Sequence, residues 1–257
     1  MWALLAGMRV RNAERAVEGE VDVPIGRGRW LTLRAGTTDT RVFRQHFQDR
    51  ELAGIPHVES VSVIVDLGAH VGIATEVLRR RYPAARIISV EMDPSNADLC
   101  RQNHESDPLQ ETVNAAVWSE EGAIDVEDIG TGNWSYRARG VTAEQLGRPR
   151  ARVRSVTFET LMREVGVDHI SILKMDIEGA EAEVLERSGQ AMFTMTDVIV
   201  IEIHDKVPGV RERVERVLER ASEAFDLGVT RSGEFTCIRP TPLVTVDRGR
   251  RQEVEFA

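Results

Sequence analysis

Acidic and imidazole side chains follow two apolar segments in the second half of the chain. Asp176 and Glu178 come directly after one segment, and Glu202 and His204 lie at the end of the next. Ligands of open parallel sheets bind beyond the carboxyl ends of the strands, so we expect these four side chains at one pocket mouth. The pKa of histidine suits proton removal near neutral pH. We therefore predict His204 as a general base oriented by Glu202 or Asp176, with Glu178 on the substrate side.

Two other arrangements of these groups remain open. A divalent cation such as Mg²⁺ on Asp176 and Glu202 would lower the pKa of an acceptor hydroxyl, although the preferred assignment has no metal ligand. Lys174 lies in an otherwise apolar segment and is costly to bury unless it is paired. A pair with Glu202 or with Asp66 would give this lysine a structural role.

A glycine-containing turn follows the first apolar segment of the core. Asp66, Gly68, Ala69, His70 and Gly72 form the pattern D-x-G-x-x-x-G, where small residues let the backbone turn and approach a ligand. A dinucleotide fingerprint would need glycines at positions 68, 70 and 73, and only the first is present. The pattern resembles the turn that holds S-adenosylmethionine. Asp66 is predicted to meet the ammonium, directly or through water, and the turn amides to meet the carboxylate.

Further cofactor contacts are predicted at the ends of the next two strands. Glu91 comes about 20 residues after the turn, where an acidic residue accepts hydrogen bonds from both ribose hydroxyls. Met92 is expected at the adenine edge. Asn114, Ala115 and Ala116 stand where adenine contacts arise, and for Asn114 a purely structural role is equally open. Asp176 is expected to border the cofactor as well as the acceptor.

Short β-branched segments alternate with helical patterns from residue 61 onward, which predicts an α/β fold with a mostly parallel sheet. The predicted strands are 61–67, 86–91, 112–117, 169–175 and 197–203, the helices are 74–81, 95–104, 178–188 and 210–225, and a final hairpin covers 228–238.

Three parts lie outside this alternation. They are an extension at 1–57 with a strand at 30–34 and an amphipathic helix, an insertion at 118–157 within the core at 58–240, and a tail at 241–257. The insertion is polar and rich in glycine before Trp134 and Tyr136. An insertion of this length is often a functional loop, so we predict that residues 128–140, together with the N-terminal extension, close over the pocket as a substrate lid and that these two rings line the acceptor site.

Composition restricts the partners. The formal net charge of −9, from 33 basic and 42 acidic residues, argues against a nucleic-acid substrate. The apolar run 2–8 is too short to span a membrane and is read as a packed element or an arm that meets a partner, such as a second copy in a homo-oligomer. Two cysteines without metal-site spacing indicate a reducing compartment, and we expect a cytoplasmic protein.

Several segments together resemble the FkbM family of methyltransferases. They are the turn 66–72, the block L-K-M-D-I-E-G-A-E at 173–181, the E-I-H at 202–204 and the stretch 33–39. The resemblance implies a class I methyltransferase, Rossmann-like sheet with an antiparallel last strand, S-adenosylmethionine as cofactor, and O-methylation of a natural product, sugar or other small molecule. Met175 stands where the family often has isoleucine or valine.

Two other functions stay open on sequence grounds. N-methylation of a cationic amine or guanidine would suit the acidic mouth formed by Asp176, Glu178 and Glu202. A non-enzymatic module that binds an adenosyl nucleotide would use the same scaffold. The polar residues at the two strand ends argue against it, because binding alone would not need them.

Overall fold

The computed structural model describes residues 2–16, 18–128, 134–136, 151–205 and 207–243. Within these ranges the elements, in chain order, are α1 (Trp2–Arg15), β1 (Glu20–Gly26), β2 (Arg29–Arg34), α2 (Asp39–Phe47), a 3-10 helix (Glu51–Gly54), β3 (Val63–Leu67), α3 (Ile73–Arg81), β4 (Arg86–Glu91), α4 (Pro94–Asn103), β5 (Gln110–Asn114), β6 (Ala116–Val117), β7 (Gly122–Asp128), β8 (Trp134–Tyr136), β9 (Ala151–Val156), α5 (Phe158–Glu164), β10 (Ile170–Met175), α6 (Glu181–Met195), β11 (Thr196–Glu202), α7 (Val210–Ala221), β12 (Phe225–Ser232) and β13 (Phe235–Pro242).

The central sheet has the strand order β12-β13-β11-β10-β3-β4-β5. Neighbouring strands from β11 to β5 are parallel, while β13 is antiparallel to both β11 and β12. The predicted α/β class and the inserted antiparallel last strand are therefore confirmed. The strand β10 lies at the centre and all six of its residues are buried, because helices cover both faces of such a sheet.

The region after β5 differs from the prediction. The segment predicted as one strand at 112–117 is divided into β5 in the central sheet and β6 in a second sheet of order β6-β9-β7-β8. The side chain of Asn114 lies at the division and donates to the carbonyls of Glu91 and Met92, at 2.8 and 2.9 Å. Where it is described, the insertion is therefore a small sheet rather than an irregular loop.

The N-terminal extension packs on the core beside the glycine-containing turn. The hairpin β1–β2 and the helix α2 bury Val23 and Phe43 against Val71, Ile73 and Leu99. The run 2–8 belongs to the helix α1, which leaves the side chains of Leu4, Leu5 and Met8 exposed. Among the described helices, none is both long and apolar enough to cross a membrane.

Local chemistry explains where the helices α4 and α6 begin. The carboxylate of Asp93 caps α4 by accepting from the amide of Asn96, and Pro94 stands at the first helical position. The helix predicted at 178–188 instead begins at Glu181. The residues before it form a turn in which Glu178 and Gly179 have φ angles of 54° and 97°, and a right-handed helix excludes such angles.

Candidate active site

A buried ion pair lies under the candidate site. The Nζ atom of Lys174 is 2.9 Å from Asp66 Oδ1, and Thr75 donates to Asp66 Oδ2 at 2.8 Å. The Asp66 side chain has no exposed surface. Of the two pairings that the sequence left open for Lys174, with Glu202 or with Asp66, the structure contains the pair with Asp66. A ligand ammonium has no access to Asp66 in this conformation, and the predicted cofactor contact stays a prediction that requires the pair to open.

The turn between β3 and α3 has the shape that its glycines predict. Gly68 has a φ of +80°, and a Cβ atom there would lie 1.7 Å from the carbonyl oxygen of Asp176. At Gly72, with a φ of +86°, a Cβ atom would lie 2.4 Å from the ring of His104. Both positions need glycine for the backbone angle and for space.

The amides of this turn correct one expectation. The amides of Gly68 and Ala69 both donate to the carbonyl of Val90, at 2.9 and 3.0 Å, and the amide of His70 donates to Glu91 Oε2 at 2.8 Å. These three amides join the turn to the end of β4, so they do not face a ligand carboxylate as predicted. The His70 ring lies 3.4 Å from Asp39 of the N-terminal extension.

Glu91 is buried at the end of β4. Its Oε1 atom accepts from the amide of Asp93 at 2.9 Å and from the side chain of Asn96 at 3.4 Å, and its Oε2 atom accepts from His70. Burial raises the pKa of Glu91 to about 7, against the lowering effect of these three donors. A carboxylate offers about four acceptor positions, so one remains for a single ribose hydroxyl, where the sequence predicted contacts with both.

The other predicted cofactor residues form the floor of this region. Met92 is 7% exposed and packs against Ala116, which is 1% exposed, and Ala115 is also buried. Asn114 uses its amide nitrogen to join β5 to β4, as described above. The structural role that the sequence left open for Asn114 is therefore present, and an adenine contact remains a prediction for all four residues.

His204 lies among carboxylates just beyond β11. Its Nδ1 atom is 2.8 Å from Oε1 of the fully buried Glu181. Its Nε2 atom is 3.5 Å from Glu178, 3.7 Å from Asp176 and 3.7 Å from Glu202. The convergence predicted for the four residues after β10 and β11 is confirmed by these distances, and Glu181 is an additional member.

The charges around His204 change its ionisation. Burial opposes a charged ring, but the hydrogen bond to Glu181 and the charges of Asp176 and Glu178 outweigh burial and raise the pKa of His204 to about 9. Burial and the neighbouring Asp176 raise the pKa of Glu202 to about 8. The histidine thus carries a proton at neutral pH, which corrects the premise that its base form predominates there.

Three further residues reach this region from outside the predicted set. The extension contributes His46 and Glu51, whose Nδ1 and Oε2 atoms lie 3.6 Å apart. Glu234 comes from the turn between β12 and β13, and together with burial it raises the pKa of Glu51 to about 7. A Cβ atom on Gly54 would lie 1.4 Å from Ser232 Oγ, so the 3-10 helix packs directly on this turn. No local pattern marks these residues in the sequence, because packing between distant segments brings them together.

The site residues offer one set of donors for a metal. One donor atom each from Asp176, Glu202 and His204 lies within 4.8 Å of the others. Oxygen and imidazole donors in this number could hold a divalent cation, which is the alternative raised from the sequence. Glu202 and Asp176 are both partly exposed. Exposed acidic groups often lie close together without binding a metal, so this arrangement alone does not assign one.

Most of the predicted lid lies outside the described residues. The backbone of β8, which contains Trp134 and Tyr136, pairs with β7. The side chains of these two residues lie outside the described part of the chain, as do residues 129–133 and 137–150. Their role as acceptor contacts stays a prediction.

Comparisons with known proteins agree with the fold and the turn. Residues 66–223 match the model of the methyltransferase FkbM domain. The methyltransferase sdnD of Sordaria araneosa is 26% identical over 72% of this chain and 82% of its own length, and methyltransferase 1 of Beauveria bassiana is 25% identical over 56% and 65%. The crystal structure of methyltransferase FkbM from Methylobacillus flagellatus is 12% identical with a TM-score of 0.51, over 73% of this chain and 45% of that one.

Proposed function

Because this chain belongs to the FkbM family of S-adenosylmethionine-dependent methyltransferases, we propose that it methylates a hydroxyl group of a small molecule such as a natural product or a sugar. The observation that carries the proposal is the position of His204. The Nδ1 atom of the ring is held by Glu181 at 2.8 Å, and the Nε2 atom lies 3.5–3.7 Å from the carboxylates of Glu178, Asp176 and Glu202, at or beyond the limit of a hydrogen bond. This arrangement leaves one nitrogen for a substrate hydroxyl.

The cofactor region contains residues that fit S-adenosylmethionine. Gly68 lets the turn pack directly against the backbone of Asp176, and Glu91 keeps one acceptor position for the ribose. Glu91 and Met92 would hold the nucleoside, and Asp176 would border the methionine end. When bound, the cofactor would supply a methyl group on a positively charged sulfur. The acceptor atom would take this methyl group by an in-line displacement in which the sulfur is the leaving group.

The contribution of the protein is then positioning and proton removal. Orientation of acceptor and donor supplies the larger share of the rate. His204 takes the hydroxyl proton at Nε2, and Asp176 and Glu202 stabilise the imidazolium that results, because each carboxylate lies 3.7 Å from this nitrogen. The high pKa of His204 moves the expected rise of turnover from neutral pH to about pH 9.

A second candidate function has one specific observation in its favour. Glu51 and Glu234 add two carboxyl groups to those of Asp176, Glu178 and Glu202, and such a cluster of acids suits a cationic amine or guanidine, whose charge would favour their ionised forms. N-methylation therefore stays the alternative to O-methylation. The non-enzymatic binding module is not retained, because the chain is a methyltransferase.

The partners of the reaction are proposed from charge and composition. A net charge of −9 would repel a nucleic-acid backbone, so we propose a small-molecule acceptor. Both cysteines, Cys100 and Cys237, are free and buried. A cytoplasmic location and a homo-oligomeric state stay predictions, which cell fractionation and sedimentation would test.

Methyl transfer from labelled cofactor distinguishes the two reactions. The acceptor panel pairs each hydroxyl compound with the amine of the same skeleton, and products are identified by mass spectrometry. We expect label on oxygen, with turnover that rises toward pH 9. Label on nitrogen alone across the panel would replace O-methylation with N-methylation.

A further inference from the structure

Glu181 is an unusual charged residue, because its side chain has no exposed surface. A buried carboxylate is costly unless several donors satisfy it. Its Oε1 atom accepts from the amides of Ile177 and Gly179, at 3.2 and 3.1 Å, and lies 2.8 Å from His204 Nδ1. One oxygen thus joins the turn after β10 to the residue after β11.

The turn that Glu181 holds is strained. Glu178 has a φ of 54°, which is uncommon for a residue with a side chain, and Gly179 has a φ of 97°. A Cβ atom on Gly179 would lie 2.7 Å from Val207. Such angles persist only where surrounding contacts maintain them, and the two amide bonds to Glu181 are contacts of this kind. They set the backbone that carries Asp176 and Glu178.

The same oxygen determines which nitrogen of His204 carries hydrogen. The Oε1 atom already accepts from two amides, so it does not donate to the ring, and the ring donates to it through Nδ1. In the neutral ring the lone pair then belongs to Nε2, which lies 3.5–3.7 Å from the carboxylates of Glu178, Asp176 and Glu202. The charged groups that face His204 are Asp176 and Glu178 from the segment between β10 and α6, Glu181 at the start of α6, and Glu202 at the end of β11.

We propose that Glu181 is a positioning residue that fixes the tautomer and orientation of His204 and the conformation of the turn at 177–180. Buried carboxylates that orient a working histidine have this role in other enzymes. The inference deepens the proposed function and rests on His204 as its proton acceptor. Glu181 itself has no exposed surface, so it acts through His204 and the turn.

The matched test compares Glu181→Gln with Glu183→Gln. Glu183 lies two residues further along α6, is partly exposed and pairs with Arg213 at 2.8 Å. With glutamine at 181 we expect kcat to fall about 10–100-fold, the usual effect of losing such a partner, and the KM for the cofactor to change less than about twofold. The pKa of His204, followed by NMR, should fall from about 9 toward its ordinary value. Glu183→Gln should leave all three unchanged.

Nitrogen NMR of the unsubstituted protein tests the tautomer without any acceptor or variant. Above pH 9 the neutral His204 ring should carry its hydrogen on Nδ1. Hydrogen on Nε2 would overturn the assignment, as would an unchanged kcat and His204 pKa in a folded Glu181→Gln protein. If the Nδ1 tautomer is found but no hydroxyl compound is methylated, the positioning role stands and the proposed acceptor class fails.

Discussion

At the scale of single residues, ionisation is the main information that the structure adds. His204 is partly buried and Glu91 is almost fully buried. Both have a pKa above the ordinary value, about 9 for His204 and about 7 for Glu91. The causes differ: carboxylates around the ring outweigh burial at His204, whereas burial dominates at Glu91. Each shift leads to a measurable pH dependence in a different step, catalysis for the first and cofactor binding for the second.

Replacement of His204 by alanine should lower turnover by roughly 10²–10⁴, the usual contribution of a general base. Affinity for S-adenosylhomocysteine should change much less, because the hydrogen bond of the ring goes to Glu181 and its contact with the predicted cofactor residue Asp176 is a longer ion pair of 3.7 Å. In the unsubstituted enzyme, turnover should rise with pH up to about 9 and then level, and the variant should lose this rise. Full activity in a folded His204→Ala protein would leave Asp176 or a chelator-sensitive metal as the means of proton removal.

Glu91 should couple cofactor binding to a proton. Its pKa is about 7 in the free protein, and a ribose hydroxyl that donates to the carboxylate favours the ionised form. Binding of S-adenosylhomocysteine should therefore release protons near pH 7 and become tighter from pH 6 to pH 8. Calorimetry in buffers of different ionisation enthalpy measures this release.

Two variants separate the hydrogen bond from the charge at this position. Glu91→Ala should weaken binding by about 1–3 kcal/mol, as expected when a charged hydrogen bond is lost. Glu91→Gln should remove the proton release. Proton release that persists in the glutamine variant would assign it to another group.

At the scale of elements, the site depends on how closely β3, β4 and β10 meet at their carboxyl ends. The turn after β3 packs so tightly on the segment after β10 that Gly68 has no space for a side chain. The amides of Gly68 and Ala69 tie the same turn to Val90 at the end of β4. Three strands therefore set the position of Asp176 jointly.

Gly68→Ala tests this packing against Gly166→Ala. Both glycines have a positive φ, +80° and +65°, so both variants bear the left-handed backbone cost of about 1–2 kcal/mol. At Gly166 no atom lies within 4 Å of the added Cβ, whereas at Gly68 the carbonyl of Asp176 lies at 1.7 Å. Urea unfolding should show Gly68→Ala to be less stable than the control by about a further 1–3 kcal/mol. Equal stabilities would mean that the turn can move away from β10 freely.

At the scale of the whole molecule, several buried acids and bases respond to pH together. The pKa values of Glu51 and Glu91 are raised to about 7, that of Glu202 to about 8 and that of His204 to about 9. Each group binds a proton more strongly in the folded than in the unfolded chain. The stability that each contributes is complete below its unfolded pKa and is lost as pH rises through its folded pKa.

The melting temperature should therefore fall as pH rises from about 6.5 to 9. His46 has the opposite shift, because burial and the charge of Lys174 lower its pKa to about 4, but that effect ends near its unfolded value of 6.5. A loss of 1 kcal/mol corresponds to about 2–4 °C for a chain of this size. Glu51→Gln should reduce the slope between pH 6.5 and 8. A melting temperature that is constant over this range would show that these groups are more solvated than the structure indicates.

The sequence by itself determined the local features of this protein. A strand that is buried on both faces needs a continuous apolar run, and a turn that approaches a neighbouring strand needs glycine, so β3, β4, β10, β11 and the turn at Gly68 could be predicted from residue types alone. The convergence of Asp176, Glu178, Glu202 and His204 also followed, because parallel strands end at one edge.

Only the tertiary structure decided which groups meet and how they ionise. His46, Glu51 and Glu234 are distant in sequence from β10, and no periodicity relates them to it; the packing of Gly54 on Ser232 brings their segments together. Glu181 was visible as part of a motif, but its three hydrogen bonds depend on a turn with left-handed angles. The pKa of His204 depends on the sum of distances and burial in three dimensions, which the spacing of residues along a chain does not contain.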